Sequence, residues 1–377
     1  MRVIVVGSGI VGASAAYHLA TAGAEVVVVD RSDQGQATAA GAGILFPWVM
    51  PGAPPATAAL GKAAVEHYPR LIDELVAAGV DDPGYARVGS VLVTEDRAAL
   101  DVVHAGLVEI SRQPGMSGLG EIELLAPGEP AARFPPLRPD LAGVWAEGTG
   151  RVDGRVFRDA LEWVATQRGA RRRPGSAALL IDGSRVTGAI VDDETISADA
   201  VVVAAGAWSS LLCEPVGMTV PVFPQRGQIV HLALPGRDTG AWPVVQTLSD
   251  HYLLAFPGGR VVAGATRESD SGFDFRVTAK GLRRVLGDAL SVAPGLSEGT
   301  VAEVRVGFRP FSPDGIPTIG GSDRVSGLVV ATGLGPIGLT LGPYVGAAAA
   351  DLALGRTVHL DLEPYRPDRP DTTPAVS

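Results

Sequence analysis

Cysteine is all but missing from this chain of 377 residues: Cys213 stands alone, which excludes an internal disulfide and any thiolate metal cluster. Lysine occurs only at Lys62 and Lys280, and acidic residues outnumber basic ones by 41 to 31. The formal charge of −10 repels a nucleic-acid backbone or an anionic membrane surface, so neither is an expected partner. His18, His67, His104, His231 and His359 show no metal-ligand spacing and read as packing or surface residues, so no metal is expected. Unbroken apolar runs are scarce too. The run at residues 3–6 is followed by glycines rather than by a cleavage site, which predicts no signal peptide and a cytoplasmic chain. Residues 325–350 carry no charge, but Gly333, Gly335, Pro336, Gly338, Gly342 and Pro343 interrupt them, so no integral membrane span is expected.

What is present is ample apolar material, 46 % against 19 % charged, enough for two sizeable cores and against disorder. The excess lies in backbone-shaping residues: 49 glycines and 29 prolines. The clearest use of them is Gly7-Ser8-Gly9-Ile10-Val11-Gly12, between the apolar run and a helix-forming stretch at residues 13–22. In this strand–turn–helix pattern Gly7 permits the tight turn, Gly9 admits a pyrophosphate, and Gly12 allows close packing of helix on strand. A second apolar strand pattern ends at Asp30, about twenty residues on, where a carboxylate accepts hydrogen bonds from ribose hydroxyls. The pattern predicts dinucleotide binding without choosing between FAD and NAD. The small-residue segment at 31–45 then suits backbone lying along a planar ligand.

Helices are expected at 56–79, split or kinked at Pro69, and at 155–169, 278–293 and 343–354. Strands are expected at 89–94, 179–191 as a hairpin, 200–204, 220–232, 243–256, 260–266 and 327–332. Residues 114–139 read mostly as loop, and Arg171-Arg172-Arg173 as a solvated turn. The fold class is α/β (α+β overall). A Rossmann-like domain is assembled from residues 1–45, 140–215 and 305–377, and a mainly antiparallel β substrate domain carrying helices, residues 46–139 and 216–304, is inserted into it.

Several motifs occur together in one order: the glycine turn, Ala42-Gly43-Ile44-Leu45, Val202-Val203-Ala204-Ala205-Gly206-Ala207-Trp208-Ser209, Pro224-Gln225-Arg226-Gly227-Gln228, Gly264-Ala265-Thr266, Gly307-Phe308-Arg309-Pro310, Pro313-Asp314-Gly315-Ile316-Pro317, and Ala331-Thr332-Gly333. In these the sequence resembles the FAD-dependent D-amino-acid oxidase and glycine oxidase family, which includes sarcosine oxidase and D-amino-acid dehydrogenase. The resemblance implies FAD held near Gly7, Gly9, Ile10, Val11, Gly12, Asp30, Arg31, Ala37, Thr38, Ala42, Gly43, Ile44, Ala178, Gly206 and Trp208. The segment Gly335, Pro336, Ile337, Gly338, Leu339 and Thr340 would lie along the flavin ring. It implies a small amine or amino-acid substrate whose carboxylate is paired by Arg309, with hydride transfer to the flavin, imine formation and hydrolysis. Tyr252 and His251 are candidates for lining the pocket beside an ordinary role as sheet residues.

The chain also departs from the family pattern. After Ala331-Thr332-Gly333 it runs Leu334-Gly335-Pro336-Ile337, without the second substrate arginine of glycine oxidases, which favours a bulkier or less polar amine than glycine. Gly307 stands where sarcosine oxidases link their flavin, so the FAD is expected to be non-covalent. Val262 stands where those enzymes place an oxygen-activating lysine, and the electron acceptor, oxygen or another, stays open together with a homo-oligomer.

Overall fold

Valine-rich strands that alternate toward two cores build the nucleotide-binding half of the molecule. The computed structural model describes residues 1–46 and 54–369; residues 47–53 and 370–377, which belong to two of the expected domain segments, lie outside the described residues. Strands Ala200–Val203, Arg2–Val6 and Glu25–Asp30 run parallel at the centre of a six-stranded sheet, with Val5 in register with Val28 and Val202. Strand Leu328–Thr332 extends it in parallel, Thr318–Gly320 adds an antiparallel edge, and Arg171–Pro174 closes the other edge. Val3, Val5, Val26 and Val28 enter one core with helices Ile10–Thr21, Gly154–Gln167 and Gly338–Ala353; Ile4, Val27 and Val29 enter a second core on the opposite face. That second core is covered by the antiparallel strands Ala177–Asp182, Arg185–Val191 and Glu194–Ser197 and holds Cys213, whose thiol burial pushes up to about 12. Coverage on both faces is why these strands read as continuous apolar runs rather than as alternating ones.

A second, eight-stranded sheet has the order Thr300–Phe311, Phe223–Ala233, Arg260–Gly264, Tyr252–Phe256, Val244–Thr247, Ser90–Thr94, Ala142–Ala146, Ile122–Leu125. Every adjacent pair is antiparallel except Val244–Thr247 with Ser90–Thr94. One face packs Val230, Leu253 and Val261 against helix Ala279–Val292, while Ile229, Leu254, Phe256 and Val262 face the other way with Ala42, Ile44 and Tyr252. The fold is thus the α/β one read from sequence, a Rossmann-like unit beside a mainly antiparallel one. Ala142–Ala146, which the expected boundary at residue 140 assigns to the nucleotide unit, hydrogen-bonds within the eight-stranded sheet instead.

Four local differences have physical causes. Helix Pro55–Ala77 runs through Pro69 unsplit, because Pro69 is exposed and the carbonyl it leaves free can meet water, while Leu60, Ala64, Tyr68, Leu71 and Leu75 stay buried on the other side. Helix Arg97–Ser111 was not expected; Asp96 caps it by accepting from the Ala99 amide at 3.1 Å. Arg171, Arg172 and Arg173 form an edge strand rather than a turn, each paired with a carboxylate: Glu25, Glu162 and Glu194. The expected strand 243–256 is two strands joined by a turn at 248–251. Residues 325–350 form strand Leu328–Thr332, a tight turn Gly335–Ile337 and helix Gly338–Ala353, and no helix among the described residues is long and apolar enough to cross a membrane.

His18 and His67 meet at 5.4 Å between ring centroids where the first helix crosses Pro55–Ala77, each with a buried Nε2 lacking a partner. The Arg70 guanidinium donates to His67 Nδ1 at 3.2 Å, so the ring is neutral with its proton on Nε2. Burial first, and neighbouring positive groups second, lower His18 to about 3 and His67 to about 4. Below the unfolded-state value near 6.5 the unfolded chain binds protons that the folded chain refuses, so stability falls as pH drops. We expect about 1–2 kcal/mol of loss per histidine between pH 6.5 and 5, and denaturant titrations should show His67→Gln losing that much of the pH dependence.

Candidate active site

The two sheets face each other across a cavity of about 730 Å³, whose lining falls into three groups. The first is the glycine turn with Asp30, Arg31 and residues 175–179; the second is residues 36–38 and 40–44, Gly206 to Trp208 and Leu334 to Leu339; the third is Gly227, Tyr252, Phe308 and Arg309 on the eight-stranded sheet, with His251, Ala265 and Arg267 just beyond the ends of its strands.

Backbone crowding explains the glycines of the first group. Gly7 has φ +103°, and a Cβ there would lie 2.4 Å from the Ala204 carbonyl oxygen; at Gly12 it would lie 1.8 Å from that of Gly7. Gly12 does not line the cavity: it lets the helix seat closely on the strand, so that Ile10 and Val11 of its first turn lie at the cavity. Thr38 accepts from the Ile10 amide at 2.9 Å, which ties the second lining group to the turn. Asp30 accepts from the amides of Ser8 at 2.7 Å and Ser32 at 2.6 Å and from Gln36 at 3.0 Å, and Arg31 pairs with Asp33 at 2.6 Å. Positive helix-end amides, a carboxylate at the end of the second strand and a long cavity past them match a nucleotide with two phosphates.

In the second group Ala37, Thr38, Ala42, Gly43, Ile44, Gly206, Trp208, Gly335, Pro336, Ile337, Gly338 and Leu339 all line the cavity, as does Ala178 in the first. Thr340 does not. It is buried, donates to the Ile44 carbonyl at 3.4 Å, and borders a separate apolar cavity of about 250 Å³. The amides of Gly338, Leu339 and Thr340 form the first turn of their helix and have no acceptor within it. Trp208 stacks on Phe273 at 4.9 Å and meets Phe308 edge-on.

Arg309 lies on strand Thr300–Phe311 with its guanidinium flat on Gly227, where a Cβ would sit 2.5 Å from Nη1. It donates to the Thr266 carbonyl at 3.1 Å and forms no ion pair among the described residues. Burial lowers its pKa below the ordinary arginine value, opposed by Tyr252 and reinforced by Arg267. Tyr252 rests on Gly264, a Cβ of which would meet its hydroxyl at 2.4 Å, and burial raises its pKa, so the phenol is neutral. His251 sits on the turn, buried, with Nε2 unpartnered; burial lowers its pKa below the ordinary value, and the charges acting on it, Asp288 and Arg284, belong to the helix behind the sheet.

Sequence reasoning assigned no role to what positions Arg309. Arg226, 7 % exposed, pairs with Glu268 at 2.6 Å and Asp274 at 2.8 Å; Glu268 accepts from Gln228 and from the Thr266 hydroxyl, both at 2.7 Å. This network holds Thr266, and Thr266 holds Arg309. The signal was present in the strings Arg226-Gly227-Gln228 and Gly264-Ala265-Thr266, whose polar residues sit inside apolar strand patterns.

The family model described as FAD dependent oxidoreductase, DAO, matches residues 2–352. The chain belongs to this family. It is an FAD-dependent oxidoreductase acting on C–N groups, and the cavity with its glycine turn, helix-end amides and Asp30 fits FAD. Over 365 residues this flavoenzyme is 44 % identical to the uncharacterized oxidoreductase YurR of Bacillus subtilis, covering 97 % of this chain and 98 % of that one. It is 31 % identical to the glycine oxidase of Pseudomonas aeruginosa over 97 % of this chain and 98 % of that one. The crystal structure of iminodiacetate oxidase from Chelativorans sp. BNC1 superposes with a TM-score of 0.94 at 41 % identity, over 97 % of this chain and 99 % of that one.

The crowding at the glycine turn gives a direct test. Gly12→Ala is expected to lose about 1–3 kcal/mol of stability and to purify with clearly less FAD per chain, read from the ratio of flavin to protein absorbance; full flavin content would contradict the role given to Gly12.

Proposed function

We propose that this flavoenzyme oxidises a secondary amine of the N-substituted glycine type, with FAD bound non-covalently between its two units and the substrate between flavin and the eight-stranded sheet. The observation that carries the reading is Arg309: a guanidinium on the cavity wall, held by one carbonyl and paired with no carboxylate among the described residues. A planar fork of donors with open positions suits a bidentate carboxylate. The relatives named for glycine and iminodiacetate act on compounds that share that carboxylate beside an amine carbon.

When bound, FAD supplies the acceptor for the hydride that leaves the carbon beside the amine, and water hydrolyses the resulting imine. Arg309 orients the carboxylate, which fixes the C–H to be broken relative to the cavity wall. The neutral Tyr252 hydroxyl donates a second hydrogen bond to it. Ile229 and Phe308 keep bulk water from the carbon being oxidised. Across the cavity, the open amides of Gly338 and Leu339 at the helix start stabilise negative charge that develops beside them. Cys213, the sole thiol, is fully buried and does not line the cavity, which supports non-covalent binding.

A second reading, electron transfer to an acceptor other than dioxygen, is favoured by one observation: no lysine lines the cavity, and Val262 is fully buried. Aerobic turnover with peroxide detection separates the two.

Arg309→Ala is expected to retain FAD while losing about 2–4 kcal/mol of transition-state stabilisation, roughly thirty- to several-hundred-fold in kcat/KM for carboxylate-bearing amines. Unchanged kinetics would refute the assignment, and a panel of D-, L- and N-substituted amino acids that never bleaches the flavin anaerobically would refute the reaction.

A further inference from the structure

The sheet-side wall of the cavity carries a second guanidinium. Arg267 follows Thr266, so the residue whose carbonyl anchors Arg309 is adjacent to one that brings another positive charge to the same wall. The two arginines sense each other: Arg267 opposes the charged form of Arg309, and both act on Tyr252. Their restraints differ. Arg309 is fixed against Gly227 by Thr266, whereas among the described residues Arg267 is held by Asp250 alone, at 3.0 Å, with the two side chains 43 % and 64 % exposed. Asp250 belongs to the turn between Val244–Thr247 and Tyr252–Phe256, and it also lines the cavity. An ion pair this open to water is weak, so another carboxylate can displace Asp250, which then turns to solvent.

We infer that Arg267 is a second anion subsite, which selects amines bearing two carboxylates: the near carboxylate sits on Arg309, the far one on Arg267, and Asp250 stands in for the far one whenever it is lacking. The inference rests on the proposed placement of the substrate carboxylate at Arg309. In a secondary amine with one carboxymethyl arm on each side of nitrogen, pinning both ends suspends the nitrogen and its neighbouring carbon between two fixed points. The substrate then loses the freedom to rotate its C–H away from the flavin side. Arg267 is a positioning and specificity residue and exchanges no proton. The same device explains how a chain lacking the second arginine after Ala331-Thr332-Gly333 can still recognise a polar amine: the additional positive charge comes from the sheet side.

The test is calorimetric binding to the FAD-loaded protein, which is independent of turnover. Diglycolate carries two carboxylates about an ether oxygen and cannot be oxidised as an amine; methoxyacetate carries one. We expect the native protein to bind diglycolate at least tenfold more tightly than methoxyacetate. Arg267→Gln should collapse that ratio toward one, Arg267→Lys should restore part of it, and Asp250→Asn should widen it by removing the competing carboxylate. A native ratio near one, an unchanged ratio in Arg267→Gln, or equal losses for both ligands would overturn the subsite. If Arg309→Ala leaves the affinity for methoxyacetate intact, it is the Arg309 placement that fails, whatever Arg267 does.

Discussion

A positive charge with no ion-pair partner among the described residues organises the substrate side of this molecule. A half-buried guanidinium with one neutral carbonyl as its hydrogen-bond partner is weakly restrained, so the surroundings of Arg309 must hold it in place against a drift toward solvent or a stray carboxylate. The fold does this at one remove. Two carboxylates, Glu268 and Asp274, are taken up by Arg226 on the neighbouring strand. Glu268 then spends its remaining acceptor capacity on Gln228 and Thr266, and the Thr266 carbonyl faces Arg309. Register between Phe223–Ala233 and Thr300–Phe311 places Gln225 opposite Arg309 and Gly227 under its guanidinium, which lets the plane lie flat. A side chain at Gly227 or an unpaired Arg226 would disturb the same atom positions.

The nucleotide side follows a different constraint, close approach of backbone to backbone. The strand Arg2–Val6, its turn and helix Ile10–Thr21 fit together only because Gly7 and Gly12 lack side chains, and this was readable in the sequence since spacing alone conveys it. The alternation of Val3, Val5 and Ile4 into two cores was equally legible as an apolar run. The Gly335–Ile337 turn and the early start of the following helix agree with a charge-free stretch that meets a ligand rather than lipid.

Other features resisted reading because the deciding partner is far along the chain. Arg171 to Arg173 look like a solvated turn until Glu25, Glu162 and Glu194 arrive beside them. Pro69 predicts a break by local rules, but burial on the opposite side of the helix outweighs one missing hydrogen bond at an exposed position. Helix Arg97–Ser111 had its signal, Asp96 followed by Leu100, Val103, Leu107 and Ile110, in a region dominated by short strand-like runs. Thr340 reads as part of the cofactor segment, yet a helix turns its residues through a hundred degrees each, and its hydroxyl points back to Ile44.

The solitary thiol has a practical meaning. Cys213 is sealed in the core shared by two sheets and its ionisation is suppressed, so the folded protein offers alkylating reagents and oxidants no cysteine to attack. Any labelling at sulfur by a thiol-specific dye therefore counts molecules whose nucleotide-binding unit has opened, and the chain carries its own single-site gauge of integrity.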